Sequence, residues 1–157
     1  MPKQKRDPKE TPELLLDNQL CFALYSTTLA MTKTYRPLLA ALGLTYPQYL
    51  VMLVLWEQDG ITVSSIGERL FLDSATLTPL LKRLETACVL TRTRAIEDER
   101  QVIVTLTSAG RKMKEAAKAV PKGLTYAMAC PPATLEKLAS QLALLRANFH
   151  QNLESTD

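Results

Sequence analysis

Cysteine is the residue type in this chain with the most reactive chemistry to offer. There are three, Cys21, Cys88 and Cys130, far apart and without CxxC spacing, beside one histidine, His150. A thiolate attacks peroxides and disulfides, whereas a thiol among apolar neighbours is inert packing. An odd count with no close pair predicts reduced thiols in the cytoplasm rather than a disulfide framework. A lone histidine argues against His-rich metal sites and a Cys–His nucleophile pair, so neither metal nor cofactor is expected. A second group has a different chemistry. In the stretch DSATLTPLLK, which starts at Asp73, Leu77, Leu80, Leu81 and Leu84 recur at helical spacing. Ser74, Ala75, Thr76, Thr78, Pro79, Lys82 and Arg83 are left on the outer face. Short side chains let a helix lie close to base edges, and neighbouring cations can meet phosphates. Many solvated helices share this composition, so the surrounding elements decide its meaning.

Those elements can be placed from pattern alone. Apolar residues at helical intervals from Glu13 to Tyr35 predict one long helix, and Pro37 and Gly43 bracket a short second one. Thr45 with Gln48 forms a capping box for a helix from Tyr46 that stops at Gly60. Thr62 caps a helix from Val63 to Phe71, Leu72 and Asp73 make a turn without glycine, and Asp73 caps the helix described above. Two short helices across a tight turn have the order of a helix-turn-helix. Val89 to Arg94 then leads into the tip Ala95-Ile96-Glu97-Asp98-Glu99-Arg100, and Gln101 to Leu106 alternates after it with the period of a strand, which makes a hairpin. Such a hairpin makes the unit a winged helix, with Arg92, Arg94 and Arg100 as the cations it presents. Thr107 caps a helix to about Val120, Gly123 and Pro131-Pro132 break the chain, and Thr134 to Leu153 is a last helix.

The expected fold is therefore mostly α with a small β-hairpin wing. Residues 1–12 form a disordered polar arm, 13–45 N-terminal helices, 46–107 the winged helix-turn-helix and 108–157 C-terminal helices. At 157 residues this is one domain of ordinary size. No apolar run approaches the roughly 20 residues of a membrane span, and the charged start MPKQKRDPKETPE lacks the apolar segment of a secretory signal. The net charge of +3 is too small to argue for nucleic acid, so placement of the cations must carry that reading. The terminal helices hold more apolar residues than one small domain covers, which predicts burial against a second copy. A two-fold dimer would also set two recognition helices about one turn of DNA (~34 Å) apart.

LDSATLTPLLKRLE followed by RTRAIEDERQVIVTLTSAG resembles the MarR family of dimeric winged-helix transcriptional regulators. In that family Asp98 would orient Arg100 into the minor groove of double-stranded operator DNA. DNQLCFALYSTTLAMTKTYRPLLAALGLTYPQYLVMLVLWE resembles, more narrowly, the organic hydroperoxide resistance regulators within it. The resemblance spans roughly Leu14 to Leu153. It implies a repressor, not an enzyme, in which Cys21 is the peroxide-sensing thiol and Tyr35 and Tyr46 hydrogen-bond it. Cys130 would be the second cysteine, forming a disulfide with Cys21 of the other subunit. Cys88 departs from the pattern, standing where members often have glycine.

The residues alone leave Cys21 open, since a cysteine on an apolar helical face is more often core than sensor. Tyr35, 14 residues on, would lie roughly 21 Å away along a straight helix. It can meet a Cys21 only across an antiparallel pair of helices; Tyr25, one turn on, is the competitor within the chain. Mid-helix placement would leave the helix dipole little influence on the thiol. Apolar Phe22 and Leu24 would favour an organic peroxide. Three other readings stand beside this one. A small aromatic ligand could release the same fold with Cys21 as packing. The chain could be a thiol peroxidase, against which Asn18 stands where a Thr–x–x–Cys motif needs threonine, or a plain interaction scaffold.

Overall fold

The structure, a computed structural model, describes residues 11–155. Of the expected polar arm, residues 1–10 lie outside the described residues, and Pro12–Leu14 is a 3₁₀ turn followed by another at Leu16–Asn18. The long helix α1 begins only at Leu20 and runs to Ala40. Polar side chains take over the backbone before it: Asn18 Nδ2 donates to the Pro12 carbonyl at 2.8 Å, and Gln19 Nε2 to that of Leu15 at 3.2 Å. Such local bonds compete with helix propagation. The later break expected at Pro37 is absent, since α1 passes through it. Lys33, whose carbonyl loses its partner to the proline ring, is exposed, as are Arg36 and Pro37, so water can replace the missing N–H.

Helix α2 spans Tyr46–Glu57, opened by the capping box in which Thr45 N–H donates to Gln48 Oε1 at 2.9 Å. Strand β1, Ile61–Thr62, is a two-residue element with no periodicity to announce it, and leads into α3, Val63–Leu70. Thr62 caps α3 by accepting from Ser65 N–H at 3.0 Å. Phe71 occupies the left-handed region (φ 56°), the conformation that a glycine would supply in this turn. Leu72 N–H donates to the Gly67 carbonyl at 3.0 Å, and a Cβ on Gly67 would lie 2.7 Å from the Leu72 carbonyl oxygen. The turn therefore closes tightly on α3, and α4, Ser74–Thr86, follows.

Strands β2, Leu90–Arg94, and β3, Val102–Leu106, form the wing, paired antiparallel from Leu90 opposite Leu106 to Arg94 opposite Val102. With β1 on the far edge of β3, the sheet order is β1-β3-β2. One core joins α2, α3, α4 and the sheet through Val51, Met52, Leu55, Ile66, Leu77, Leu81, Leu84, Leu90 and Val104. Each fully buried aliphatic side chain contributes about 1.5–3 kcal/mol. The leucine stripe of α4 is thus what fixes its polar face outward.

Helix α5, Ser108–Ala117, is capped by Thr107 and belongs to a compact unit that extends to Pro121. Helix α6, Ala119–Met128, passes through Gly123, which does not break it; Pro121 sits in its first turn, where no N–H partner is needed. The second unit, from Lys122, contains the rest of α6 and α7, Pro132–Glu154. Among the described residues no helix is long and apolar enough to cross a membrane.

Cys88 ends α4 in the left-handed region (φ 59°), with its N–H donating to Glu85 and Val89 N–H to Leu84. A side chain in that conformation costs roughly 1–2 kcal/mol. Cys88→Gly is expected to stabilise the fold by about 1 kcal/mol, raising Tm by about 2–4 °C in a thermal melt.

Candidate DNA interface and thiol site

The outer face of α4 is built from its cap upward. Asp73 Oδ1 accepts from Thr76 N–H at 2.7 Å, and this bond holds the carboxyl below the usual carboxylate range. Ser74, Ala75, Thr76, Thr78, Pro79, Lys82 and Arg83 are all exposed, while Leu77, Leu81 and Leu84 are buried. Thr78 Oγ1 donates back to the Ser74 carbonyl at 2.7 Å, which keeps that hydroxyl close to the helix surface. Ser64 of α3, Ser74 and Thr78 of α4, and Arg92 and Arg100 of the wing line one groove of about 270 Å³. Helix and wing hence share one concave surface, in which these polar side chains lie beside Val63, Leu81 and Val102.

The three wing arginines differ. Arg100 is 91% exposed yet oriented, its Nε donating to Asp98 Oδ1 at 3.0 Å and its Nη2 to Oδ2 at 3.3 Å. The Arg100 side chain, followed by its backbone N–H, holds the Asp98 carboxyl below its ordinary range. Arg94 is exposed. Arg92 turns back instead: its Nε and Nη2 donate to Glu85 Oε2 at 3.0 and 2.6 Å, and its backbone N–H to Oε1 at 3.0 Å. This pair fastens the root of the wing to the end of α4. Nothing in the spacing of Glu85 and Arg92 signals it, because helix and strand lie between them.

Asp59 is a further residue that pattern reading missed. Its Oδ1 accepts from Leu106 N–H at 2.7 Å and Gly60 N–H at 2.8 Å, and its Oδ2 from Arg111 at 2.9 Å. Partial burial pushes the carboxyl up, but the three donors outweigh it and hold it below its ordinary value. The end of α2 is thereby tied to both β3 and α5.

Cys21 is exposed and is the second residue of α1, so the mid-helix placement expected for it is corrected. With that goes the reason for discounting the helix dipole, whose influence is greatest in the first turn. Tyr35 lies on the same helix 14 residues on, about 21 Å away by helical rise. The structure brings Tyr35 and Tyr46 together, stacked with ring centroids 4.4 Å apart. Tyr49, one turn beyond Tyr46, adds a third ring 5.9 Å from Tyr35 and packs edge-on to Trp56. That i, i+3 spacing was the available signal for Tyr49. Cys130 is exposed between α6 and α7, and Cys88 is exposed beside the wing root.

Burial first, then the neighbouring Tyr46 and Tyr49, push the Tyr35 phenol up to about 12. Burial raises Tyr46 and Tyr49 as well. The phenols therefore stay protonated and able to donate across the neutral range. For a group whose folded pKa is raised, the associated stability is complete below the ordinary value of 10 and is lost as pH rises through about 12. A titration followed by tyrosinate absorbance should show a phenol ionising only near pH 12 that disappears in Tyr35→Phe.

Residues 33–117 match the family model described as transcriptional regulator SarA/Rot. The chain is 47% identical over 136 residues to the organic hydroperoxide resistance transcriptional regulator of Bacillus subtilis, covering 87% of this chain and 92% of that protein. Reduced AbfR bound to DNA superposes with a TM-score of 0.72 at 38% identity, over 85% of this chain and 94% of that one. Disulfide-formed AbfR does so with a TM-score of 0.61 at 42% identity, over 83% and 91%; AbfR is from Staphylococcus epidermidis. With the winged helix, the Asp98–Arg100 pair and these relatives in hand, the chain belongs to the MarR family of winged-helix transcriptional regulators, in the organic hydroperoxide resistance regulator group.

Proposed function

We propose that the chain is a redox-sensing transcriptional repressor. The reduced homodimer holds double-stranded operator DNA, and organic hydroperoxide releases it by oxidising Cys21. The observation that carries the reading is the layout of α1, with Cys21 exposed in its first turn and Tyr35, stacked on Tyr46, at its far end. Two copies of α1 crossing antiparallel about a two-fold axis bring each thiol to the other copy's phenols. Exposed Leu20, Tyr25 and Leu29 give that helix the apolar surface such a crossing would bury. The phenols donate to the thiolate without adding a full charge beside it.

The thiolate sulfur attacks one peroxide oxygen, the O–O bond breaks, and the leaving alkoxide takes a proton to become an alcohol. Cys21 is left as sulfenic acid. The thiol of the partner subunit's Cys130 then attacks that sulfur, a disulfide forms, and the hydroxyl departs as water. Closing the bond requires Cα atoms within about 7 Å, and the resulting movement of the helices carries the DNA-reading units off the groove spacing. The relatives support both halves of the cycle, since AbfR is known reduced on DNA and with its disulfide formed. The place of action is the cytoplasm, where DNA and a reducing thiol pool coexist.

On the DNA, Ser74, Ala75, Thr76, Thr78 and Pro79 face base edges, Lys82, Arg83 and Arg94 meet phosphates, and Asp98 aims Arg100 into the minor groove. Arg92 acts by positioning the wing through Glu85. Removing Lys82 or Arg83 is expected to reduce the slope of log affinity against log salt by about 1, measured by anisotropy over a salt series. The deciding experiment is a gel shift on a duplex selected from random sequence, run reduced, peroxide-treated and re-reduced. Release that reverses on reduction is the expected result; an unchanged shift in all three lanes would sink the redox reading.

A further inference from the structure

Ile96 is 100% exposed, more than any other large apolar side chain among the described residues. It therefore contributes nothing by burial to the fold. Its place in the hairpin is well defined. Arg94 pairs with Val102, and Ala95 N–H donates to the Gln101 carbonyl at 2.9 Å. Ile96 and Arg100 are thus the residues that flank this last bonded pair on the tip side. The tip is held by Gln101 N–H donating to the Asp98 carbonyl at 2.9 Å and Arg100 N–H to Asp98 Oδ1 at 3.1 Å. Asp98 is neutralised by Arg100. Glu97 and Glu99 are repelled by phosphates, so Ile96 and Arg100 are the two tip side chains compatible with a groove.

Deoxyribose walls make the minor groove partly apolar. Its floor shows only acceptors at A·T pairs, while G·C adds the guanine amino donor. An aliphatic side chain has no acceptor to offer that donor, so covering it leaves a desolvated polar group. Apolar side chains inserted beside arginine recur in minor-groove binding. From this we infer that Ile96 is a specificity-determining residue. It packs against the minor groove beside Arg100 and penalises G·C pairs in the operator flanks. The inference rests on the reading of the wing as a minor-groove element.

The test uses the reduced full-length protein and a duplex whose core is selected from random sequence, made with either A·T or G·C flanks. Wild type is expected to prefer A·T flanks. Ile96→Ala and Ile96→Asn should shrink that preference about fivefold, Ile96→Val should keep it, and Tm should stay unchanged in all three. Arg100→Ala is the control for the wing itself. If Arg100→Ala weakens binding while the Ile96 variants keep the wild-type flank ratio, the inference falls and the wing reading stands. A loss equal on both flanks in Ile96→Ala likewise overturns it. If neither position affects binding to either duplex, the minor-groove reading of the wing fails and takes the inference with it.

Discussion

Cys21→Ser should stay on its operator through a dose of organic hydroperoxide that strips the wild-type dimer, an affinity difference of about 100-fold, or ~2.7 kcal/mol. Serine keeps the shape of the side chain but has no sulfur to oxidise, and the site is exposed, so folding is not at stake. Cys130→Ser separates the two chemical steps. It should form the sulfenic acid, detectable by mass spectrometry, yet give no covalent dimer on a non-reducing gel. A disulfide that persists in Cys130→Ser would transfer the second role to Cys88. Release of Cys21→Ser at the wild-type dose would instead favour a regulator triggered by a bound ligand, with Cys21 as packing.

Gly110→Ala should cost about 3 kcal/mol or more, lowering Tm by about 6–12 °C. Gly110 is buried, and an added Cβ would run into the carbonyl oxygen of Val89 and come within 3.1 Å of Leu106 Cδ2. That carbonyl already accepts from Thr107 N–H at 3.1 Å, so it cannot move without loosening the wing root. The Gly110 carbonyl also accepts from Trp56 Nε1 at 2.9 Å, joining α5 to α2. Trp56 fluorescence provides the local readout beside the melt. A variant with wild-type Tm and emission would overturn the close approach of α5 to the wing root.

The helix starts were legible wherever one side chain does the capping. Thr62, Asp73 and Thr107 each accept the bond that their position implies. The start of α1 was not, because the apolar spacing through Leu14 and Leu16 carries no sign that Asn18 and Gln19 capture nearby carbonyls. Pro37 and Gly123 do not break their helices: Lys33, whose carbonyl loses its N–H partner at Pro37, is exposed to water, and a single glycine lowers helix propensity without ending the helix. β1 is too short for any period to show. In the site, residue types and the Asp98–Arg100 pair could be read directly. The anchoring of Arg92 and Asp59 could not, because each depends on partners brought together only by the folded chain.

The wing is bolted down twice, by Arg92 on Glu85 at one strand and by Asp59 on Leu106 at the other. Braced this way, the reading head is tied to the end of α4 on one strand and to the end of α2 on the other. Displacement reaching it from a sensor helix must shift it whole, as a key is withdrawn rather than bent. Selectivity for the operator and sensitivity to oxidant then draw on separate properties, the shape of the head and the gap between two heads. A substitution that alters one can then leave the other intact.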